Sequence, residues 1–202
     1  MAGTVDIVNR ALSKLGDMRI SSLDDGSKSA AVAASMFEII RDAEITAHCW
    51  HFAKTRSKLP AEAEKPVFGW SWQYLLPSDC LRVLEAGPWP QALTDSYVGG
   101  DSRSFVLEGQ RLLSNLGPTL ELIYLKRMSD AGLFPPSFIE VLACKLAVEM
   151  AESLTGSNSK RELAWNEYER ALKLAKRLNA IGLPPLAVQD DSWMLAHRQG
   201  VV

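Results

Sequence analysis

Cysteine is scarce in this 202-residue chain: Cys49, Cys80 and Cys144 are the only three, far apart and odd in number. No CxxC pair occurs, which excludes a zinc ribbon and a thioredoxin-type redox site, and a disulfide scaffold is not expected. Such usage fits a reducing cytoplasm. Charge of either sign is not in excess, since 22 Lys and Arg stand against 24 Asp and Glu for a formal net charge of −2. A nucleic-acid reader would carry a basic surplus, so composition gives no reason to expect one. Long apolar runs are missing too: no stretch reaches the about 18 residues that a membrane span needs. No basic segment leads into an apolar one at the N-terminus, so a signal peptide is not expected. Gly99-Gly100 stands alone, with neither G-x-x-x-x-G-K nor G-x-G-x-x-G around it, and no G-x-S-x-G occurs. These absences remove the usual phosphate loops and the usual serine elbow.

What is present is ordinary globular material, 47% hydrophobic and 23% charged. A chain of this length buries roughly 70% of its unfolded surface and needs no covalent staple. Val5, Val8, Leu12 and Leu15 recur at three- and four-residue spacing and predict a helix over Thr4 to Leu15, capped by Thr4 and stopped by Gly16. Residues 17–26 read as an elbow, with Asp24, Asp25 and Ser27 as caps for a second helix from about Ser27 to His48. The first half of that helix is small (Ala30, Ala31, Ala33, Ala34, Ser35) and the second half bulky (Met36, Phe37, Ile39, Ile40, Ile45). It therefore packs close at one end and fills a widening gap at the other. Trp50 and Phe52 follow as expected core plugs.

Between residues 53 and 130, prolines and glycines punctuate short apolar runs, and strands are expected at 72–76, 80–86, 104–108, 111–115 and 120–127. The clearest pair is a hairpin of Ser104–Leu107 and Arg111–Ser114 around Glu108-Gly109-Gln110. Leu120 to Arg127 is apolar on both faces, which predicts a central strand. Pro135-Pro136, then Ser137 with Glu140, predict a third helix opening on a capping box. That helix is apolar on most sides, so it is expected to be buried on most sides, in part by a neighbouring subunit. Gly156 stops it. Ser159 with Glu162 opens a fourth helix to about Asn179, with Leu163, Tyr168, Leu172, Ala175 and Leu178 inside. Pro184-Pro185 then forces extension, and Leu186, Val188, Trp193, Met194 and Leu195 are strung along a tail that folds back or docks on another chain. The expected class is α+β: mainly a bundle of about four helices (1–55 and 131–182), a small β-rich insertion (56–130) and an extended C-terminal docking arm (183–202).

Few groups are arranged for chemistry. His48, Cys49 and His51 could begin a zinc site, with Cys80, Cys144, His197 or a carboxylate as fourth ligand. The plainer reading packs Cys49 with Trp50 and leaves protonated histidines at a helix end, where they suit the dipole. A small cytoplasmic metal- or cysteine-dependent enzyme built on this trio is one alternative. A second is a nucleic-acid-binding module using helix 160–179, whose cations would touch phosphates. Interspersed glutamates favour a solvated strip there. Trp70-Ser71-Trp72 places two indoles on one strand face, which suits core or interface anchoring. Asp24-Asp25 and Asp190-Asp191 fall in turn or tail. No catalytic residue, metal or cofactor is expected.

One opening pattern carries more. Ala11-Leu12-Ser13-Lys14-Leu15-Gly16, Ile20-Ser21-Ser22-Leu23-Asp24-Asp25, Phe37 to Asp42 and Trp50-His51-Phe52-Ala53 follow in order. Phe68-Gly69-Trp70, Tyr74 to Val83 and Phe105-Val106-Leu107-Glu108-Gly109 with Leu112-Leu113 come after them. Together they resemble the head-to-tail connectors of short-tailed bacteriophages, often called tail tubular protein A, over Val5 to about Asn179. The resemblance implies a structural virion protein, not an enzyme, made in the host cytoplasm and seated at the head–tail junction. It implies a dodecameric ring between the portal protein and the tail nozzle protein, with the tail fibre as an optional neighbour and no membrane partner. Genomic DNA would pass through its lumen without sequence-specific binding. On that reading Leu186, Val188, Trp193, Met194 and Leu195 dock on the portal or a neighbouring subunit. Trp70, Trp72, Val141 and Val148 lie at subunit interfaces, and Lys173, Lys176 and Arg177 face the channel or DNA.

Overall fold

Gly3, not Thr4, caps the first helix, α1 (Thr4–Leu15), and the Asp6 carboxylate accepts from the Gly3 N–H at 2.8 Å. Gly16 ends it in the left-handed region at φ 68°, where a side chain would be strained. In the computed structural model, which describes residues 3–87 and 105–182, this helix begins a mixed α+β chain. α2 (Lys28–Ala47) is capped by Ser27, whose Oγ accepts from Ala30 N–H at 3.1 Å. After a 3-10 turn at His51–Ala53 come β1 (Lys54–Pro60), β2 (Trp72–Leu75) and β3 (Cys80–Ala86). β4 (Phe105–Glu108), β5 (Arg111–Ser114) and β6 (Thr119–Lys126) follow, then α3 (Pro136–Thr155) and α4 (Asn158–Ile181). Helix accounts for about half of the described residues, a more even balance than a mainly helical bundle. The expected docking arm at 183–202, with Leu186, Val188, Trp193, Met194 and Leu195, lies outside the described residues.

The strands form two antiparallel three-stranded sheets, ordered β1-β6-β3 and β2-β5-β4. β6 is central, as its two apolar faces require, and β4–β5 is the expected hairpin, with Gly109 at φ 59° in its loop. Tyr74, Leu112, Leu120, Leu122 and Tyr124 form a core between the sheets. Tyr74 Oη donates to the Gly117 carbonyl. The larger core belongs to the helices but takes in Leu125 of β6, with Leu81 and Leu84 of β3 packed against it.

α3 is the hub of that core. α1, α2 and α4 all pack on it, and Phe138, Val141, Leu142, Leu146 and Met150 are fully buried. This corrects two expectations. Val141 (0% exposed) and Val148 (3%) are covered by their own chain, so neither offers a surface to a neighbouring subunit. The capping box is not used either: Pro135 precedes the helix, and Glu140 is spent on ion pairs to α1. α4 likewise starts one residue earlier than Ser159, capped by Ser157, whose Oγ accepts from Lys160 N–H at 3.4 Å.

Candidate functional site

The fourth helix buries Tyr168 and Ala175 and packs Leu172 on the core, as expected, but turns Leu163 and Leu178 outward. Ala164, Tyr168 and Ala175 face the core, while Leu163 (60% exposed), Leu174 (57%), Leu178 (50%) and Ile181 (69%) stand in solvent. With 3.6 residues per turn, Leu174, Leu178 and Ile181 fall on the same flank as Lys160 and Glu167. That flank turns toward α1, because Lys160 Nζ donates to the Leu15 carbonyl at 2.7 Å and Glu167 pairs with Lys14 at 2.9 Å. The opposite flank turns toward α2 and the turn after it: Tyr168 bonds Glu44, and Asn179 Nδ2 donates to the Cys49 carbonyl. Lys173, Lys176 and Arg177 are exposed, so the structure leaves them on the solvent side as expected.

α2 carries a second apolar stripe besides its buried one. Val32 and Met36 are half-buried, Ile39 is 71% exposed, and Ala43 is exposed. These positions repeat at intervals of four, three and four, one row on a helix. A third apolar feature is the loop between β1 and β2, where Val67 is 96% and Phe68 85% exposed. Trp70 precedes β2 rather than lying in it, and Trp72 packs against the core between the sheets with Lys65 Nζ 5.6 Å from its ring. The two indoles therefore do not share a strand face.

Beneath α2 and α4 lies a polar cluster. Glu44 is 4% exposed; its Oε1 accepts from Tyr168 Oη at 2.9 Å, and its Oε2 has no hydrogen-bond partner among the described residues. Burial pushes the Glu44 carboxyl up, against the Tyr168 hydrogen bond and the fields of Lys145 and Lys176. Burial, then Glu44, pushes the Tyr168 hydroxyl up. Lys145 pairs with Glu149 at 2.8 Å and lies 5.4 Å from the Tyr168 ring. Glu44 follows Phe37 by seven residues and Ile40 by four, an acid inside an apolar stripe that was readable in sequence but not singled out.

A folded chain that holds the Glu44 proton more tightly than the unfolded chain loses stability as pH rises through the folded pKa. The loss is absent below the ordinary glutamate range. Glu44→Gln keeps an acceptor for Tyr168 and removes the charge. Its stability relative to the parent chain should rise as pH increases from about 4 to about 7, measured by urea unfolding. Parallel pH profiles for the two proteins would refute this.

The histidine–cysteine trio separates. Cys49 is exposed, His48 lies edge-on to Trp50 with ring centroids 5.7 Å apart, and His51 opens the 3-10 turn. Burial and the Lys176 charge push His48 toward its neutral form, so it is not the protonated cap expected at this helix end. Among the described residues no three His, Cys, Asp or Glu side chains converge as metal ligands. A cleft of about 910 Å³ opens between the sheets beside Leu59, Leu75, Leu76, Leu81, Val83 and Leu107. Cys80 at its edge is pushed up by burial and by Asp79, away from a reactive thiolate.

Arg10, Lys14, Glu140 and Glu167 tie α1 to α3 and α4, with Arg10–Glu140 at 3.1 Å and Lys14–Glu140 at 2.8 Å. Burial works against the Lys14 charge, but the bonds to Glu140 and Glu167 outweigh it and hold its pKa up. This network locks the bundle and supplies no reacting group. No protein-family model matches the chain, and no curated protein matches it in sequence. The functional reading therefore rests on these faces and on the opening pattern.

Proposed function

We propose that this chain is the subunit of a head-to-tail adaptor, a ring between the portal and the tail nozzle of a short-tailed phage, with a central channel for the genome. The observation that carries the reading is a completed internal core beside large apolar side chains left exposed on α2, on α4 and on the β1–β2 loop. Contiguous exposed apolar surface marks sites of association. A ring subunit needs unlike faces on different sides, since head-to-tail contacts close into rings when the rotation allows. The portal and nozzle would meet the ends of such a ring. A chain of net charge −2 also suits a bore through which DNA slides rather than sticks.

Electron microscopy of the protein mixed with its portal tests the reading. A collar of this chain should appear on the tail-side face of the portal. Deleting residues 184–202 should leave a folded monomer that no longer joins portal rings. Unchanged portal affinity of the truncated chain would remove the docking role of the tail. Absence of any collar with the full chain would remove the adaptor reading itself.

A further inference from the structure

We infer that the chain's own C-terminal segment folds back over the exposed flank of α4, with Leu186 on Leu178, Val188 on Leu174 and Asp190 on Arg170. The occupant belongs to the same chain, so the inference needs no ring. Arg170, Leu174 and Leu178 stand four residues apart and make one row on α4. Leu174 is 57% and Leu178 50% exposed, and Arg170 is exposed beside them. The segment begins where this row ends: only Leu183, Pro184 and Pro185 separate Gly182, at the end of α4, from Leu186. Proline cannot continue the helix, so the chain leaves its axis there. A segment on so short a tether meets the row at an effective concentration on the order of millimolar, ahead of any separate partner in dilute solution.

Spacing and charge set the register. Four residues of helix advance about 6 Å, and two residues of extended chain about 6.5 Å. Read backward along α4, Leu178, Leu174 and Arg170 therefore step in time with Leu186, Val188 and Asp190. The match is apolar on apolar twice, then acid on cation. Trp193, seven residues after Leu186, falls about 22 Å along. That is level with Leu163, fifteen residues back from Leu178 and 60% exposed. From Arg170 onward α4 carries Arg170, Lys173, Lys176 and Arg177 and no acid, so Asp190-Asp191 meets cations a turn to either side. Arg170, Lys173 and Arg177 have no ion-pair partner among the described residues. The apolar row on α2 offers no such match: its neighbouring charges are the acids Glu38 and Asp42, already paired to Arg41 and, for Asp42, to Arg127. In the free chain the contact hides the α4 row. On the adaptor reading, a tail drawn off to the portal uncovers it, so the row is offered only after the tail has found its partner.

Disulfide trapping within the full chain tests the register. In a Cys49→Ser background, which removes the exposed thiol, one variant carries Leu174→Cys with Val188→Cys and a second carries Ala180→Cys with Val188→Cys. Arg170, Leu174 and Ala180 are all exposed, so substitution there leaves the core intact. Ala180 lies about a third of a turn round α4 from Leu174 and nearer in sequence to Val188. An undocked tail closes the shorter loop more readily, which favours the Ala180 pair. A docked tail reverses the order: the effective molarity of the Leu174 pair against glutathione, in dilute protein, should be higher by roughly tenfold or more. Arg170→Glu should lower it several-fold, and Asp190→Lys added to Arg170→Glu should restore it. Equal effective molarities, or a lead for the Ala180 pair, overturn the inference. A disulfide that forms only between chains and grows with protein concentration gives the row to a second copy and overturns it too. No portal enters the measurement, so this contact and the formation of collars stand or fall separately.

Discussion

Trp50→Ala should lower the stability of the chain by about 3–5 kcal/mol, a fall in Tm of roughly 6–20 °C for a domain of this size. The indole is 2% exposed and packs edge-on against Phe138 at 5.1 Å. Phe52 lies 4.8 Å from Phe138, and Phe134 lies 5.2 Å from it, so one ring set joins the end of α2, the 3-10 turn and the start of α3. Removing the indole from this set leaves a cavity that its neighbours cannot fill. A polar term adds to the packing term. Trp50 Nε1 donates to the Glu44 carbonyl at 2.8 Å, in the last turn of α2. Trp50→Phe separates the two terms, because it retains most of the apolar area and loses the hydrogen bond, and should cost about 1–2 kcal/mol. Trp165→Ala is the control: that indole is 43% exposed, and its loss should cost about 1 kcal/mol or less. Equal losses at Trp50 and Trp165 would contradict the placement of the core.

The parts of the fold that were legible in the sequence are those written in local spacing. α1, the ends of α2, the β4–β5 hairpin and the central position of β6 follow from apolar periodicity and from single cap or turn residues. β1 was not legible. Lys54–Pro60 has Leu59 as its single large apolar residue, and it is a strand because it pairs along its whole length with β6, from Lys54 opposite Leu125 to Pro60 opposite Thr119. That is a long-range cause with no local trace. The inner side of α4 was legible at Tyr168, Leu172 and Ala175 but not at Leu163 and Leu178. α3 and α4 approach through Ala164 and Ala175, so the alanine row takes the close seat and Leu163 and Leu178 are turned outward. Glu140 shows the limit of motif reading: its spacing from Ser137 suits a capping box, but Arg10 and Lys14, more than a hundred residues away in sequence, bind its carboxylate first.

Asn9→Ala should cost about 2–4 kcal/mol, because it strips both backbone partners from a buried residue at once. Asn9 is 8% exposed, on the inner side of α1; its Nδ2 donates to the Ile20 carbonyl at 2.9 Å and its Oδ1 accepts from the Ile20 N–H at 2.8 Å. Among the described residues no other hydrogen bond reaches Ile20, which is itself 6% exposed, so alanine leaves a buried donor and a buried acceptor unmet. The elbow has further ties, Asp17 to Ser29 at 2.7 Å and Asp25 to the Ser27 hydroxyl at 2.6 Å, but both lie nearer the surface and bind side chains. Asn9 clamps the far part of the elbow backbone to α1, while the near part is held by the Asp17 N–H, which donates to the Leu12 carbonyl at 3.0 Å. Asn9→Asp isolates the polar term from any change in size. Ionised aspartate still accepts from the Ile20 N–H but sets a charged oxygen against the Ile20 carbonyl; protonated aspartic acid can donate there instead. The deficit of Asn9→Asp relative to the parent chain, measured by urea unfolding, should therefore shrink as pH falls below the ordinary carboxylate range, while that of Asn9→Ala should not. A pH-independent deficit in Asn9→Asp would mean that the amide acts by filling space.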